Sequence, residues 1–236
     1  MSQPVLSEKY RLINYHRRGY MGSSHNVSDV SIKQQADDSK ELLRTLNIDR
    51  AHVIGYSNAG LIALQFAHDA PEMVHTLSLL EPALIGHVPS GPQFANRLQN
   101  TIGLLQNGKK AEALDSFLQI VFEDSSQYRG IIDKQLSAGS FDAAVRNLET
   151  IFRIEAPALQ SWNFTIDDAK SIHQPKLYIG GENSALYFQE TRELLSTWFS
   201  QLETVMLPNT THMLHMINPN LVAKNLSNFL GRNPIQ

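Results

Sequence analysis

Ser57 stands in Gly55-Tyr-Ser57-Asn-Ala59-Gly60, a run of small and polar residues between an apolar strand-like segment and an apolar helix-like one. A serine so placed can be held on a sharp turn with its hydroxyl exposed at the carboxyl end of a sheet. Gly55 and Ala59 leave room for strand and helix to approach. The helix beginning beyond Ser57 presents backbone donors to negative charge forming on a bound carbonyl oxygen. The chemistry of such a turn is nucleophilic attack on an acyl carbon. It requires a base within hydrogen-bond reach of the hydroxyl and a third group to orient the base. Nine histidines could supply the base; His52, His68, His75 and His173 read as surface or satisfied core residues. The chain has no cysteine, which excludes disulfides, thiolate metal sites and a cysteine nucleophile together.

The elements that would position Ser57 are legible on both sides of it. Ala51 to Gly55 reads as a strand, Asn58 to His68 as a helix and Val74 to Leu80 as a second strand. Strand, helix, strand without a hairpin turn implies parallel pairing through a crossover. Upstream, Tyr10 to Tyr15 reads as a short strand leading into the basic, glycine-containing loop Arg17 to Ser24. A helix of about four turns follows from an N-cap at Ser28 or Asp29, with Ile32, Ala36, Leu43 and Leu46 on one stripe. Between Pro82 and Pro175 the alternation gives way to amphipathic helices, then resumes. Lys176 to Ile179 is a strand, Tyr187 to Phe199 a helix, Thr204 to Leu207 a strand and Pro219 to Leu230 a closing helix. The expected architecture is an α/β fold, a parallel sheet flanked by helices with an inserted helical cap. Residues 1–85 form a core part carrying Ser57, 86–174 the cap, and 175–236 the remaining core.

The chain has 236 residues, 42% of them hydrophobic and 18% charged, with a formal net charge of -3. A chain of this length removes roughly 70 to 75% of its unfolded surface from water and needs no metal or crosslink to stabilise its core. The mild negative charge gives no field to hold nucleic acid or an anionic membrane surface. No leader-like segment and no apolar run long enough for a membrane span is visible. A small-molecule substrate, no cofactor and a cytoplasmic setting are the expectations.

In its order of motifs the chain resembles the α/β-hydrolases, specifically the capped group related to lactonases and carbon–carbon bond hydrolases. Tyr10 to Ser24 resembles the strand and "RGxGxS" loop before the nucleophile, Ala70-Pro-Glu-Met-Val74 the link after its helix, and Leu207 to Leu230 the histidine loop and final helix. The family's nucleophile pattern closes with glycine where Ala59 stands, although Gly60 follows directly. By this resemblance Ser57 is the nucleophile and His212, after Leu207-Pro-Asn-Thr-Thr, is the base, with His215 three residues on as its natural control. Asn58 supplies one backbone donor to the oxyanion. The usual acid position, after the strand that follows the cap, is held by Asn183, which carries no charge to stabilise imidazolium. Glu182 beside it is one alternative acid. Glu81, in Leu77-Ser-Leu-Leu-Glu81-Pro82, is the preferred one, because some families of this fold place the acid at that earlier strand end.

Two family features have no counterpart: the His-Gly loop that gives the second oxyanion donor, and the aspartate replaced by His16. The chain therefore reads as N-terminally shortened, with uncovered sheet edges that favour self-association. Tyr56, Phe94, Leu98, Phe117, Phe152 and Trp162 are the expected pocket residues. The resemblance implies a hydrolase of a small ester, lactone or related carbonyl compound working through an acyl-enzyme, without metal. A noncatalytic ligand-binding protein is the alternative, favoured by the missing oxyanion donor. An acyltransferase is a third reading. A dehalogenase is disfavoured, since that chemistry uses a carboxylate at the position of Ser57.

Overall fold

A computed structural model describes residues 3–24, 30–123, 130 and 140–235. Its centre is a four-stranded, wholly parallel sheet whose spatial order is its chain order. The strands are β1 (Ala51–Tyr56), β2 (Val74–Leu80), β3 (Lys176–Gly181) and β4 (Leu202–Leu207). β2 and β3 are buried along nearly their whole length, so both read as continuous apolar runs rather than alternating ones. Tyr56 pairs with Leu80, Leu80 with Ile179, and Gly181 with Leu207. The four strands therefore finish close together, and the loops leaving them share one edge of the sheet.

A short helix α1 (Pro4–Ser7) packs on the closing helix near the chain's end. The helix α2 (Ile32–Thr45) starts at Ser31, whose side chain accepts from the Gln34 N–H. The expected caps Ser28 and Asp29 lie outside the described residues. α2 buries Ile32, Ala36 and Leu43, and Leu46 sits half-buried at its C-cap. The helix α3 (Asn58–Asp69) crosses from β1 to β2 with Leu61 to Leu64, Phe66 and Ala67 all buried. Burial on nearly every side makes it a core helix rather than an amphipathic surface one.

The residues described between β2 and β3 contain helices and no strand: α4 (Gly91–Gln106), α5 (Lys110–Val121), α6 (Ser140–Thr150), a π-helical turn Ile151–Glu155, α7 (Ala156–Ser161) and α8 (Ile166–Lys170). After β3 come α9 (Leu186–Trp198), then β4, a single turn α10 (Leu214–Ile217) and the closing helix α11 (Pro219–Arg232).

One expected strand is absent. Tyr10 to Tyr15 pairs with no neighbour and has no strand structure. A strand exists through a ladder of backbone bonds, and this segment and the loop after it are instead held by side chains, those of Tyr15, Arg17 and Arg18 reaching α2. The Tyr15 hydroxyl meets Ser39 at 2.7 Å, the Arg17 guanidinium donates to Gln35 at 2.7 Å, and Arg18 pairs with Asp38. Ile13 packs on the central core and Tyr10 sits edge-on to His52.

Candidate active site

Ser57 is the N-cap of α3 and adopts φ 52, ψ -123, a backbone region that favours glycine and costs a side-chain-bearing residue about 1–3 kcal/mol. The conformation is held from both sides. The Ser57 N–H donates to the Leu80 carbonyl at 3.0 Å, and the Ser57 carbonyl accepts from Gly60 at 2.8 Å and Ala83 at 3.2 Å. A methyl group added at Gly55 would meet the Ala59 carbonyl oxygen at 2.5 Å and the Ala63 methyl at 2.8 Å. One added at Gly60 would meet Pro82 at 2.4 Å. The glycine missing at position 59 is thus supplied one residue later, where the helix passes the end of β2.

Glu81 follows β2 and is fully buried. One carboxylate oxygen accepts from the Gly181 N–H at 2.7 Å and the other from His212 Nδ1 at 2.9 Å. Both oxygens accepting is the pattern of an ionised carboxylate, and a buried charge is tolerated only when so satisfied. Space for this reach comes from Gly180-Gly181 at the end of β3. A methyl at Gly180 would lie 3.2 Å from the Glu81 oxygen and 2.7 Å from the Tyr178 ring.

His212 is 4% exposed. Because a carboxylate can only accept, Nδ1 carries the proton, leaving Nε2 to accept from the Ser57 hydroxyl at 3.0 Å. The loop that carries it is tied to β3. Glu182 N–H donates to the Leu207 carbonyl, Asn183 N–H donates to the Thr210 carbonyl, and a methyl at Gly181 would collide with that same carbonyl at 2.1 Å. The imidazole stacks on Phe188 of α9, with centroids 4.1 Å apart, and on Tyr56, at 4.9 Å. The Tyr56 hydroxyl donates to the His212 carbonyl at 2.9 Å, and burial followed by the nearby Glu81 charge pushes its pKa well up. His215 packs edge-on to Tyr56, and its own pKa is lowered to about 4, by burial first and then by His212.

A family model for the alpha/beta hydrolase fold matches residues 2–219. The chain belongs to that family. A fluoroacetate dehalogenase of a Burkholderia species is 34% identical over 83 residues, 33% of this chain and 27% of that protein. A carboxylesterase of Bacillus subtilis, YbfK, is 24% identical over 215 residues, covering 87% of this chain and 67% of the other. The enol-lactonase from Burkholderia xenovorans superposes with a TM-score of 0.67 at 20% identity, over 91% of this chain and 78% of that one.

Within this α/β-hydrolase fold, the structure joins Ser57, His212 and Glu81 in one chain of hydrogen bonds and leaves the other acid positions apart from it. Glu182 and Asn183 are exposed. Asn58 is the first residue of α3, where a backbone N–H has no intrahelical acceptor; its side chain donates to Glu155 at 2.8 Å. Of the expected pocket residues, Phe94 packs on Phe188 in a cluster that also takes in Leu98. Phe117 shares an apolar cluster with Met213, beside the histidine. Phe152 lies edge-on to Phe117, Tyr56 packs on the histidine itself, and Trp162 stacks on Phe164 with its indole N–H donating to Gln65 of α3. Phe188, Gly180, Gly181 and Glu155 were not singled out by sequence. Only the Gly180-Gly181 pair leaves a signal there, as a strand ending in two residues without side chains. Among the described residues no cluster of three or more His, Cys, Asp or Glu could hold a metal ion, and no helix is long and apolar enough to cross a membrane.

Proposed function

We propose that the protein is a serine hydrolase of small esters, lactones or related carbonyl compounds, with residues 86–174 as the cap over its site. The observation that carries this reading is the continuous relay from the Ser57 hydroxyl through His212 to buried Glu81, at 3.0 and 2.9 Å. As the hydroxyl oxygen attacks the acyl carbon, its proton passes to His212 Nε2. The imidazolium that results is stabilised by Glu81 across the Nδ1 bond. The carbonyl electron pair moves onto oxygen, which faces the Asn58 N–H at the start of α3. Collapse of this intermediate expels the alcohol, which takes the proton from His212. Water, deprotonated by the same nitrogen, then releases the acid from Ser57 and restores the enzyme. Phe188, Phe94 and Leu98 give the acyl side an apolar wall.

The carboxylesterase and enol-lactonase names among the similar proteins agree with this reading. The dehalogenase name does not, since that chemistry needs a carboxylate where this chain has Ser57. A buried carboxylate on the histidine favours this reading over simple ligand binding, because it orients the imidazole and stabilises its charged form during proton transfer. The test is steady-state hydrolysis of a panel of 4-nitrophenyl esters and small lactones by wild type, Glu81→Gln and Glu182→Gln. Glu81→Gln should lower kcat by about 10³ to 10⁴ with KM little changed, as expected for an interaction made mainly in the transition state. Glu182→Gln should turn over normally. The opposite pattern would place the acid at the end of β3.

A further inference from the structure

Glu155 ends the π-helical turn Ile151–Glu155 and is 3% exposed. It is a buried carboxylate that the mechanism above does not use. Its Oε2 accepts from the Asn58 side chain, at 2.8 Å, and its Oε1 is ion-paired with Arg17. Arg17 in turn donates to buried Gln35 of α2 at 2.7 Å and lies 5.2 Å from the centre of the Tyr20 ring. A second tie joins the same loop to the same helical segment: the Thr150 hydroxyl donates to the Gly19 carbonyl at 3.0 Å. Three segments remote in sequence, the 17–20 loop, the first residue of α3 and the helix over the site, thus meet on one carboxylate. A π turn widens the helix by one residue and re-aims the side chains that follow, a geometry frequent at functional sites.

We propose that Glu155 is a positioning residue for the Ser57 site, acting through Asn58, with Arg17 cancelling its charge. The inference rests on the reading of Ser57 as nucleophile and Asn58 as oxyanion donor. Asn58 is the residue whose backbone N–H must face the oxyanion, and its side chain is fixed by Glu155. Loss of that anchor frees the first turn of α3 to drift, and a shift near 1 Å in a reacting geometry costs up to about 10²-fold in rate. The charge matters as well. An uncompensated carboxylate this near a developing oxyanion would oppose it, so the site is competent only with Arg17 paired to Glu155.

The test is a mutant cycle read by kcat and KM on 4-nitrophenyl acetate, by the rate of Ser57 labelling with a fluorophosphonate, and by thermal melting. Replacing a buried ion pair by apolar residues of similar volume is often neutral for stability, so Arg17→Met/Glu155→Leu removes the anchor while keeping the fold. It should lower kcat at least tenfold with KM little changed. Asn58→Ala should give the same loss, and the triple variant no more than either, because all three remove one interaction. Arg17→Met/Glu155→Gln, which restores a neutral acceptor for Asn58, should recover most of the turnover. Multiplying losses in the triple variant, or wild-type kcat in folded Asn58→Ala, would overturn the inference while leaving Ser57 as nucleophile. A wild-type protein that neither labels at Ser57 nor hydrolyses the ester would overturn both.

Discussion

Two histidines three residues apart meet different surroundings, and the difference is what assigns them. His212 has a carboxylate on one nitrogen and a hydroxyl on the other. His215 is packed on Tyr56, with burial and then His212 lowering its pKa to about 4. His52 is likewise held near 4, by burial and then by His75. The sign of the consequence is fixed. Between about pH 6.5 and pH 4 the unfolded chain binds protons at these positions that the folded one refuses, so stability falls as pH falls through that window. Thermal melts should show Tm dropping between those limits, with a shallower drop in His215→Phe, which keeps a ring against Tyr56. An equal slope in that variant would remove His215 from the account. Ser57, Glu81 and His212 were legible in the sequence because each stands at a strand end or in a turn with a recognisable pattern. Phe188 and Glu155 were not, because an aromatic on an amphipathic helix and a glutamate in a helical run look like ordinary packing and solvated charge.

At the scale of elements, the sheet's register does the assembly. Adjacent parallel strands end in step, so a residue just past β2 sits beside one just past β1, which is why Glu81 can serve a histidine shared with Ser57. Helix and strand approach at Gly60, where a methyl would meet Pro82 at 2.4 Å. Gly60→Ala should therefore destabilise by about 1–3 kcal/mol and lower turnover by shifting the Ser57 turn. Gly103, within α4, has no atom within 4 Å of an added methyl, and the same change there should stabilise by about 0.5–1 kcal/mol. Denaturant unfolding of both variants checks this pair of opposite signs; two effects of the same sign would mean that close packing at Gly60 is not what demands glycine. Sequence periodicity located every strand of the sheet and the helices beside it. It failed at Tyr10 to Tyr15, where apolar residues satisfied a strand pattern but side chains hold the segment, Tyr15 on Ser39 of α2 and Ile13 on the central core, with no backbone ladder. Pairing is a property of the neighbour, which no local pattern contains.

For the molecule as a whole, the sheet gathers Ser57, Glu81 and His212 at one end, and the helical segment packs beside them through Phe94 and Glu155. The loops leaving β1, β2 and β4 supply Ser57, Glu81 and His212, while the end of β3 supplies the Gly181 donor and the ground on which the histidine loop rests. The helical segment between β2 and β3 places Phe94 and Leu98 in the cluster around Phe188 and Glu155 against Asn58 and Arg17. Parallel pairing was readable because β1 and β2 are apolar runs joined by one helix with no hairpin turn between them. The meeting of Arg17, Asn58 and Glu155 was not, since it joins three segments remote in sequence. In the proposed reaction Ser57 is activated by His212 and carries the acyl intermediate. Labelling of the intact protein with a fluorophosphonate, followed by peptide mass spectrometry, tests it most directly. The account predicts a single adduct on Ser57 that is absent in Ser57→Ala, forms far more slowly in His212→Ala, and is unaffected in His215→Ala. An adduct on another serine, no adduct on folded protein, or equal loss in His215→Ala and His212→Ala would contradict it.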